Sequence, residues 1–333
     1  MTIEVASVDD GLTPAKREQK RRYQEKLRRE LGSLVGACLA DPAVVEIMLN
    51  PDGRLWVERA GSAMAPLGRM TAPAAEQLIA TVAAGVGATV TYDNPALECE
   101  LPGDGSRFSA MIYPGADAPM FTIRRRARQI WTLADYVQGG ILTKAQGEVL
   151  RSAIAARCNI LVAGGTGAGK TTLANALIAE IASIAPQHRL VIIEDTPEIQ
   201  CASPNAVILR ANAANDALTM QRLLMRAMRH RPDRIIVGEV RGAEALTLIK
   251  AWNTGHPGGI ATIHANEQTD MDALRRLESL VGEATPALMQ PFIAMAVNLI
   301  VPIARSGGQS GRQVGQLIRV EDFKDGVYRT MRV

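Results

Sequence analysis

Four apolar runs in the second half of the chain constrain its fold more than any other feature: NILVAGG, LVIIEDT, RIIVGEV and GIATIHA, separated from one another by helix-length stretches. A strand with one face in water alternates apolar and polar residues. These runs hardly alternate, so both of their faces must be covered. Helices between successive strands supply that cover, and they also make the crossovers that parallel strands require. The expectation is an α/β domain with a parallel sheet from about residue 140 to the end, closed by a hairpin in QLIRVEDFKDGVYRTMRV that turns on Asp325-Gly326.

The first half has a different rhythm. VVEIMLN and RLWVERA flank the turn Asn50-Pro51-Asp52-Gly53, a helix is predicted from about Ala72 to Val86, and ALECELP and SRFSAMIYP flank Gly103-Asp104-Gly105. Strands joined by tight turns pair antiparallel, so these elements, with the short strand in FTIRRRAR, form a smaller α+β module. The stretch around Arg126 to Thr132 is the linker. The organisation read from the sequence is therefore a basic extension over residues 1–30, an α+β domain over 31–130 and an α/β domain over 131–333.

Within the extension, residues 14–30 hold eight Lys or Arg against three Glu, while the whole chain carries a net charge of only +3. A basic helix here either touches anionic lipid or nucleic acid or is a solvated face with pairs such as Glu25 to Arg29. At 47% hydrophobic and 21% charged, the composition excludes a disordered chain, and the small net charge argues against a general polyanion binder. The amino terminus lacks the apolar core of a signal peptide, and IAMAVNLIVPIA is too short to span a bilayer, so a cytoplasmic protein is expected. Cys38, Cys99, Cys158 and Cys201 form no CxxC pair and read as free thiols.

Between the first apolar run and the helix TTLANALIAEI lies the sequence Gly164, Gly165, Thr166, Gly167, Ala168, Gly169, Lys170, Thr171, Thr172. Its GxxxxGKT spacing, in a strand-to-helix turn, is that of a phosphate-binding loop. Glycines let successive N–H groups point at phosphates, and the helix N-terminus adds its dipole. Lys170 would reach the β and γ phosphates and the Thr171 hydroxyl would take Mg²⁺.

Acids are placed at the ends of the next strands. LVIIEDTPEI supplies Glu194, Asp195 and Glu198; RIIVGEVRG supplies Glu239 and Arg241. In a parallel sheet ligands bind at the carboxyl ends of strands, where these groups emerge. One carboxylate could hold Mg²⁺, with Glu194, Asp195 and Glu239 as candidates, and another could position an attacking water. His256 and His264 frame the fourth run; without a third ligand at close spacing they suit contact with the nucleotide or sensing of its γ-phosphate better than metal binding.

In order, GGTGAGKTT, IIEDTPEI, RPDRIIVGEVRG and TGHPGGIATIHAN resemble the motif set of the secretion and traffic ATPases, most closely the conjugal-transfer branch of type IV secretion; ELPGDGSRF and FTIRRR extend the likeness over about residues 30–300. The CxxC pairs usual in the type II branch are absent, as is the carboxyl-terminal signature of the pilus-retraction branch. The resemblance implies a RecA-like P-loop NTPase domain preceded by a smaller α+β domain, with ATP and Mg²⁺ as ligands. It also implies a homo-hexameric ring and partners at the inner membrane, such as a coupling protein or a channel ATPase. Glu198 and Glu239 match the family's acidic-box and Walker B glutamates, and either could be the base. Arg107, Arg124 and Arg125 lie in the stretches whose arginines contact phosphate, with Arg126 and Arg128 as further choices in the second stretch.

These expectations describe an ATP-hydrolysing motor for conjugative pilus assembly or substrate transfer, peripheral to the inner membrane. A type II secretion or type IV pilus assembly ATPase is one alternative. A nucleic-acid translocase is another, but 4% aromatic residues offer few stacking platforms, so direct nucleic-acid binding is not expected.

Overall fold

The computed structural model describes residues 13–125, 130–212, 215–265, 271–307 and 311–333. The chain divides into two compact units, residues 1–128 and 129–333.

In the first unit the elements run α1 (Pro14–Ala40), β1 (Val44–Leu49), β2 (Arg54–Arg59), β3 (Ala65–Arg69), α2 (Ala72–Gly85), β4 (Ala96–Glu100), β5 (Arg107–Met111) and β6 (Met120–Arg124). The six strands form one sheet in the order β3-β2-β1-β6-β5-β4, and every pair is antiparallel, as the tight turns require. One face carries the core: Ile47, Leu49, Leu55, Phe108, Phe121 and Ile123 pack with Leu78, Ile79 and Val82 of α2 and with Leu27, Leu31 and Val35 of α1. Both expected hairpins are present, while β3, whose residues are half-exposed or exposed, carries no apolar run to announce it.

The basic stretch is the start of α1, which continues to Ala40 across a break at Gly32, where φ is 70° and ψ is 174°. Its amino-terminal turns stand in solvent and are laced with ion pairs, though Glu25 pairs with Arg21 and not with Arg29. Glu18 pairs with both Arg21 and Arg22. Among the described residues no helix is long and apolar enough to cross a membrane, and all four cysteines are free.

The second unit opens with α3 (Leu133–Gln138) and α4 (Lys144–Ala155), each started by a threonine in a reciprocal capping box. It continues with β7 (Ile160–Gly164), α5 (Lys170–Ile184), β8 (Leu190–Glu194), β9 (Ala206–Arg210), α6 (Met220–Ala227), β10 (Arg234–Val240), α7 (Glu244–Asn253) and β11 (Ile260–His264). The chain ends with α8 (Asp272–Gly282), α9 (Gln290–Ala296), β12 (Leu299–Arg305), β13 (Arg312–Val314), β14 (Ile318–Lys324) and β15 (Val327–Arg332). The sheet order is β15-β14-β12-β7-β11-β10-β8-β9, with β13 beside β12. From β12 to β9 every neighbour is parallel; β14 and β15 form the expected closing hairpin, with Asp325 and Gly326 both at positive φ. Two apolar clusters sandwich the sheet: Leu161, Val191, Ile193, Ile235 and Ile263 face α6 to α9, while Ile160, Val162, Ile192, Ile236 and Ile260 face α3 to α5. β7 and β8 are buried at every position, which is why their sequences do not alternate.

Candidate functional site

β7 ends at Gly164, and the chain turns through five residues into α5, whose first residue is Lys170. Gly167 and Gly169 hold φ of 70° and 100°, a region costly for any residue with a Cβ. Ala168 turns its methyl into the core, leaving only its backbone to the loop, and Thr166 is exposed. Lys170 is 8% exposed and donates from Nζ to the Gly165 carbonyl at 3.0 Å, so its ammonium lies within the curl of the loop. Thr171 and Thr172 follow, half-buried, on the first turn of α5.

Two carboxylates converge on these residues. Thr171 donates its hydroxyl proton to Glu198 Oε2 at 3.0 Å. Glu239 Oε1 lies 3.9 Å from Lys170 Nζ. Glu239 reaches the loop from a bulge: the register of β10 on β11 goes from Val237↔Ala261 to Val240↔Ile263, inserting a residue and re-aiming the side chain. Arg241 bridges the acids, donating from Nε and Nη2 to Glu239 Oε2 at 2.8 and 2.5 Å and from Nη1 to Asp195 Oδ2 at 2.6 Å. Burial opposes the charge on Arg241, but the hydrogen bond to Glu239 and the charges of Glu239, Asp195 and Glu198 outweigh it and hold its pKa above the ordinary value. The backbone N–H groups of Arg241 and Gly242 are in turn fixed by Glu244 Oε1, at 2.7 and 3.0 Å.

His264 ends β11 in register with Gly164 and its side chain is exposed, so it stands beside the start of the loop. His256 does not join this group. It precedes β11, whose first residue Ile260 is in register with Ile160, and therefore sits at the amino ends of the strands, a strand's length from the loop. The glycines of that motif answer to packing: a Cβ on Gly258 would lie 2.5 Å from Arg234 Nη1, and one on Gly259 would lie 2.1 Å from Trp252 Nε1. Glu194 is likewise turned away from a ligand's role. It is 1% exposed, and its oxygens are engaged by Arg210 and by the N–H groups of Glu198 and Ile199.

In the first unit, Arg107 on β5 and Arg124 on β6 are cross-strand partners and lie side by side. Arg125 is committed elsewhere, donating from Nη1 to the carbonyls of Cys38 and Asp41 at 2.9 and 3.2 Å, at the end of α1. Arg126 and Arg128 lie outside the described residues.

Two arginines near the loop escaped sequence reasoning. Arg305 ends β12 and is in register with Arg312 at the start of β13. A Cβ on Gly167 would lie 2.4 Å from Arg305 Nη2, and one on Gly169 would lie 3.1 Å from Arg312 Cδ. No motif surrounds them; only the antiparallel β12–β13 pairing brings them to the loop.

The residues fit a magnesium nucleotide. The glycines leave a cradle that side chains would fill, a lysine stands inside it, and the neighbouring donors are hard oxygens of Thr171, Asp195, Glu198 and Glu239, the set that Mg²⁺ prefers. Among the described residues no group of three or more His, Cys, Asp or Glu is arranged to hold a metal ion.

Residues 37–324 match the family described as Type II/IV secretion system protein. The chain is 52% identical to conjugal transfer protein TrbB of Rhizobium radiobacter, over 93% of this chain and 94% of that one. It is 32% identical to type IV secretion system protein PtlH of Bordetella pertussis, over 85% and 91%. Among solved structures, the Legionella pneumophila ATPase DotB aligns with a TM-score of 0.60 at 18% identity, covering 91% of this chain and 80% of that one. The pilus retraction motor PilT aligns with a TM-score of 0.58 at 20% identity, covering 90% and 81%. These two bear out the expected fold class, a RecA-like P-loop domain with a parallel sheet preceded by a smaller α+β domain. By its sequence along most of its length, the chain belongs to the type II/IV secretion system protein family.

Proposed function

We propose that this protein is a Mg²⁺-dependent ATPase acting as a homo-hexameric motor of a type IV secretion system, powering conjugative pilus assembly or the transfer of substrate. One observation carries the reading: Lys170, Thr171, Glu198 and Glu239 converge on a single glycine loop. Lys170 neutralises the β and γ phosphates, and the loop N–H groups orient them. Thr171 would hold Mg²⁺, with Asp195 as a further oxygen donor, and the bound ion would offset the charge that develops on the phosphates. Glu239, ion-paired with Lys170, lies toward the γ-phosphate and takes the proton of the attacking water. Glu198, hydrogen-bonded to Thr171, orients the metal end. His264, beside the start of the loop, would sense loss of the γ-phosphate, and the resemblance offers the cross-strand pair Arg107 and Arg124 as guanidinium donors to phosphate.

Relatives named for conjugal transfer and type IV secretion support the assignment to such a system, with channel or coupling components at the inner membrane as partners. The exposed amino-terminal turns of α1, basic overall, would hold the ring against anionic lipid.

The test is phosphate release with Mg²⁺ and ATP, run beside light scattering for mass. Lys170→Ala should abolish turnover and leave the circular dichroism spectrum unchanged. Retained turnover in that variant would defeat the site assignment, and a monomer strongly stimulated by single-stranded DNA would favour a translocase.

A further inference from the structure

Glu198 sits on the segment 195–200, which belongs to no helix or strand. Such a segment can aim a side chain reproducibly only if its own backbone is pinned, and here it is pinned from two directions. From the sheet, buried Glu194 accepts the N–H of Glu198 at 2.9 Å and of Ile199 at 2.8 Å through one oxygen. Arg210, its register partner on β9, pairs with the other oxygen. Gly238 on β10 leaves room for this, because a Cβ there would lie 2.9 Å from that of Glu194.

From the helix, Asn175 stands one turn beyond Thr171 on the same face of α5 and is 3% exposed. Its Nδ2 donates to the Glu198 carbonyl at 3.1 Å, and its Oδ1 accepts the N–H of Gln200 at 2.9 Å. Residues 198 to 200 are thus held between strand and helix, and the Glu198 carboxylate meets Thr171.

We infer that Glu194 and Asn175 are positioning residues, a staple that sets the backbone of Glu198 so that its carboxylate faces Thr171. A charged group at the end of the fully buried strand β8 is costly compared with an apolar one, and an apolar side chain could fill the space. What it could not do is accept two amides at the base of a catalytic segment. The charge makes those bonds stronger than neutral ones.

The inference rests on the ATPase reading only for its kinetic arm. Glu194→Gln, Asn175→Ala and Glu198→Ala, singly and combined, are compared with wild type in the full chain. Without nucleotide, amide hydrogen exchange should accelerate in the peptide covering 195–201, by about 10-fold or more, and stay unchanged over the loop 164–169. Turnover should fall about 10- to 100-fold with KM for ATP nearly constant, the size usual for groups that orient a catalytic residue. In the Glu198→Ala background either substitution should change what remains by no more than about 2-fold, because residues acting through one another are not additive. Unaltered exchange over 195–201, or equal losses of turnover in both backgrounds, would overturn the inference. A wild type that does not hydrolyse ATP would sink the ATPase reading alone, with the exchange arm still deciding this one. Should Glu194→Gln fail to fold, Asn175→Ala carries both arms.

Discussion

Arg234 leads the fully buried large side chains, and it sits at the end of the sheet away from the phosphate loop. It donates to the carbonyls of Gly258 and Ile154 at 3.1 and 2.9 Å and, from Nε, to His188 Nδ1 at 3.1 Å. Burial, then the nearby Arg157, pushes the Arg234 pKa down to about 10. An imidazole that accepts at Nδ1 must be neutral, and burial together with Arg234 lowers the His188 pKa below 6.5, although Asp233 opposes them. The unfolded chain therefore binds a proton that the folded chain resists, and stability falls as pH drops from about 6.5 toward the native value. Denaturant titrations at pH 8 and pH 5.5 should show wild type losing more stability than His188→Gln, which keeps an acceptor and does not titrate. Beside it, Gly259 is fixed by contact: an added Cβ would meet the Ile235 carbonyl at 2.6 Å and the Trp252 indole, so Gly259→Ala should cost about 1–3 kcal/mol by urea unfolding. The TGHPGG stretch was legible as a motif, but which end of β11 it serves was not. That depended on register, and adjacency in sequence to a site strand misplaced His256 by a whole strand.

Among elements, those with a physical signature in sequence were readable. Continuous apolar runs gave β7, β8, β10 and β11 and their parallel sense; tight turns gave the hairpins. β9 was missed because it is an edge strand with no position fully buried, so its residues look like any half-exposed stretch. β12 was missed because Pro302 interrupts it. The proline is tolerated since β14 pairs with Leu299 and Ile300 and β13 with residues 303–305, leaving Pro302 in the gap, where no antiparallel partner needs its missing N–H. Recognition of the site followed the same division. Lys170, Thr171, Glu198 and Glu239 belong to spaced motifs, whereas Asn175 has only its helical offset from Thr171, and Arg305 and Arg312 reach the loop through a strand not foreseen. The turn from β7 into α5 then yields a test of its own. Gly169, at φ of 100° and packed against Arg312, cannot take a side chain without strain. Gly169→Ala should cost about 1–2 kcal/mol of backbone energy and weaken ADP binding by about 10-fold or more, read by fluorescent-ADP titration.

At the scale of the molecule, each of the two units has its own core among the described residues, so each is expected to melt by itself. The cluster of Leu27, Ile47, Phe108 and Phe121 shares no residue with the two that sandwich the larger sheet. Calorimetry without nucleotide should therefore resolve two transitions, which peptide-level hydrogen exchange assigns to residues 13–125 and 130–333. The phosphate loop lies wholly in the second unit, so ADP at about 100 times its Kd should stabilise that unit by about 2.7 kcal/mol. For a unit of this size that is a rise in Tm of about 5–10 °C. If Arg107 and Arg124 supply guanidinium groups to the phosphates, the first unit shares in the binding energy and its transition rises as well. The paired substitution Arg107→Ala with Arg124→Ala should then confine the rise to the second unit. A wild-type protein in which ADP moves the second transition alone would show that these arginines do not reach the nucleotide, and a single transition would show that the units are coupled more tightly than their cores require.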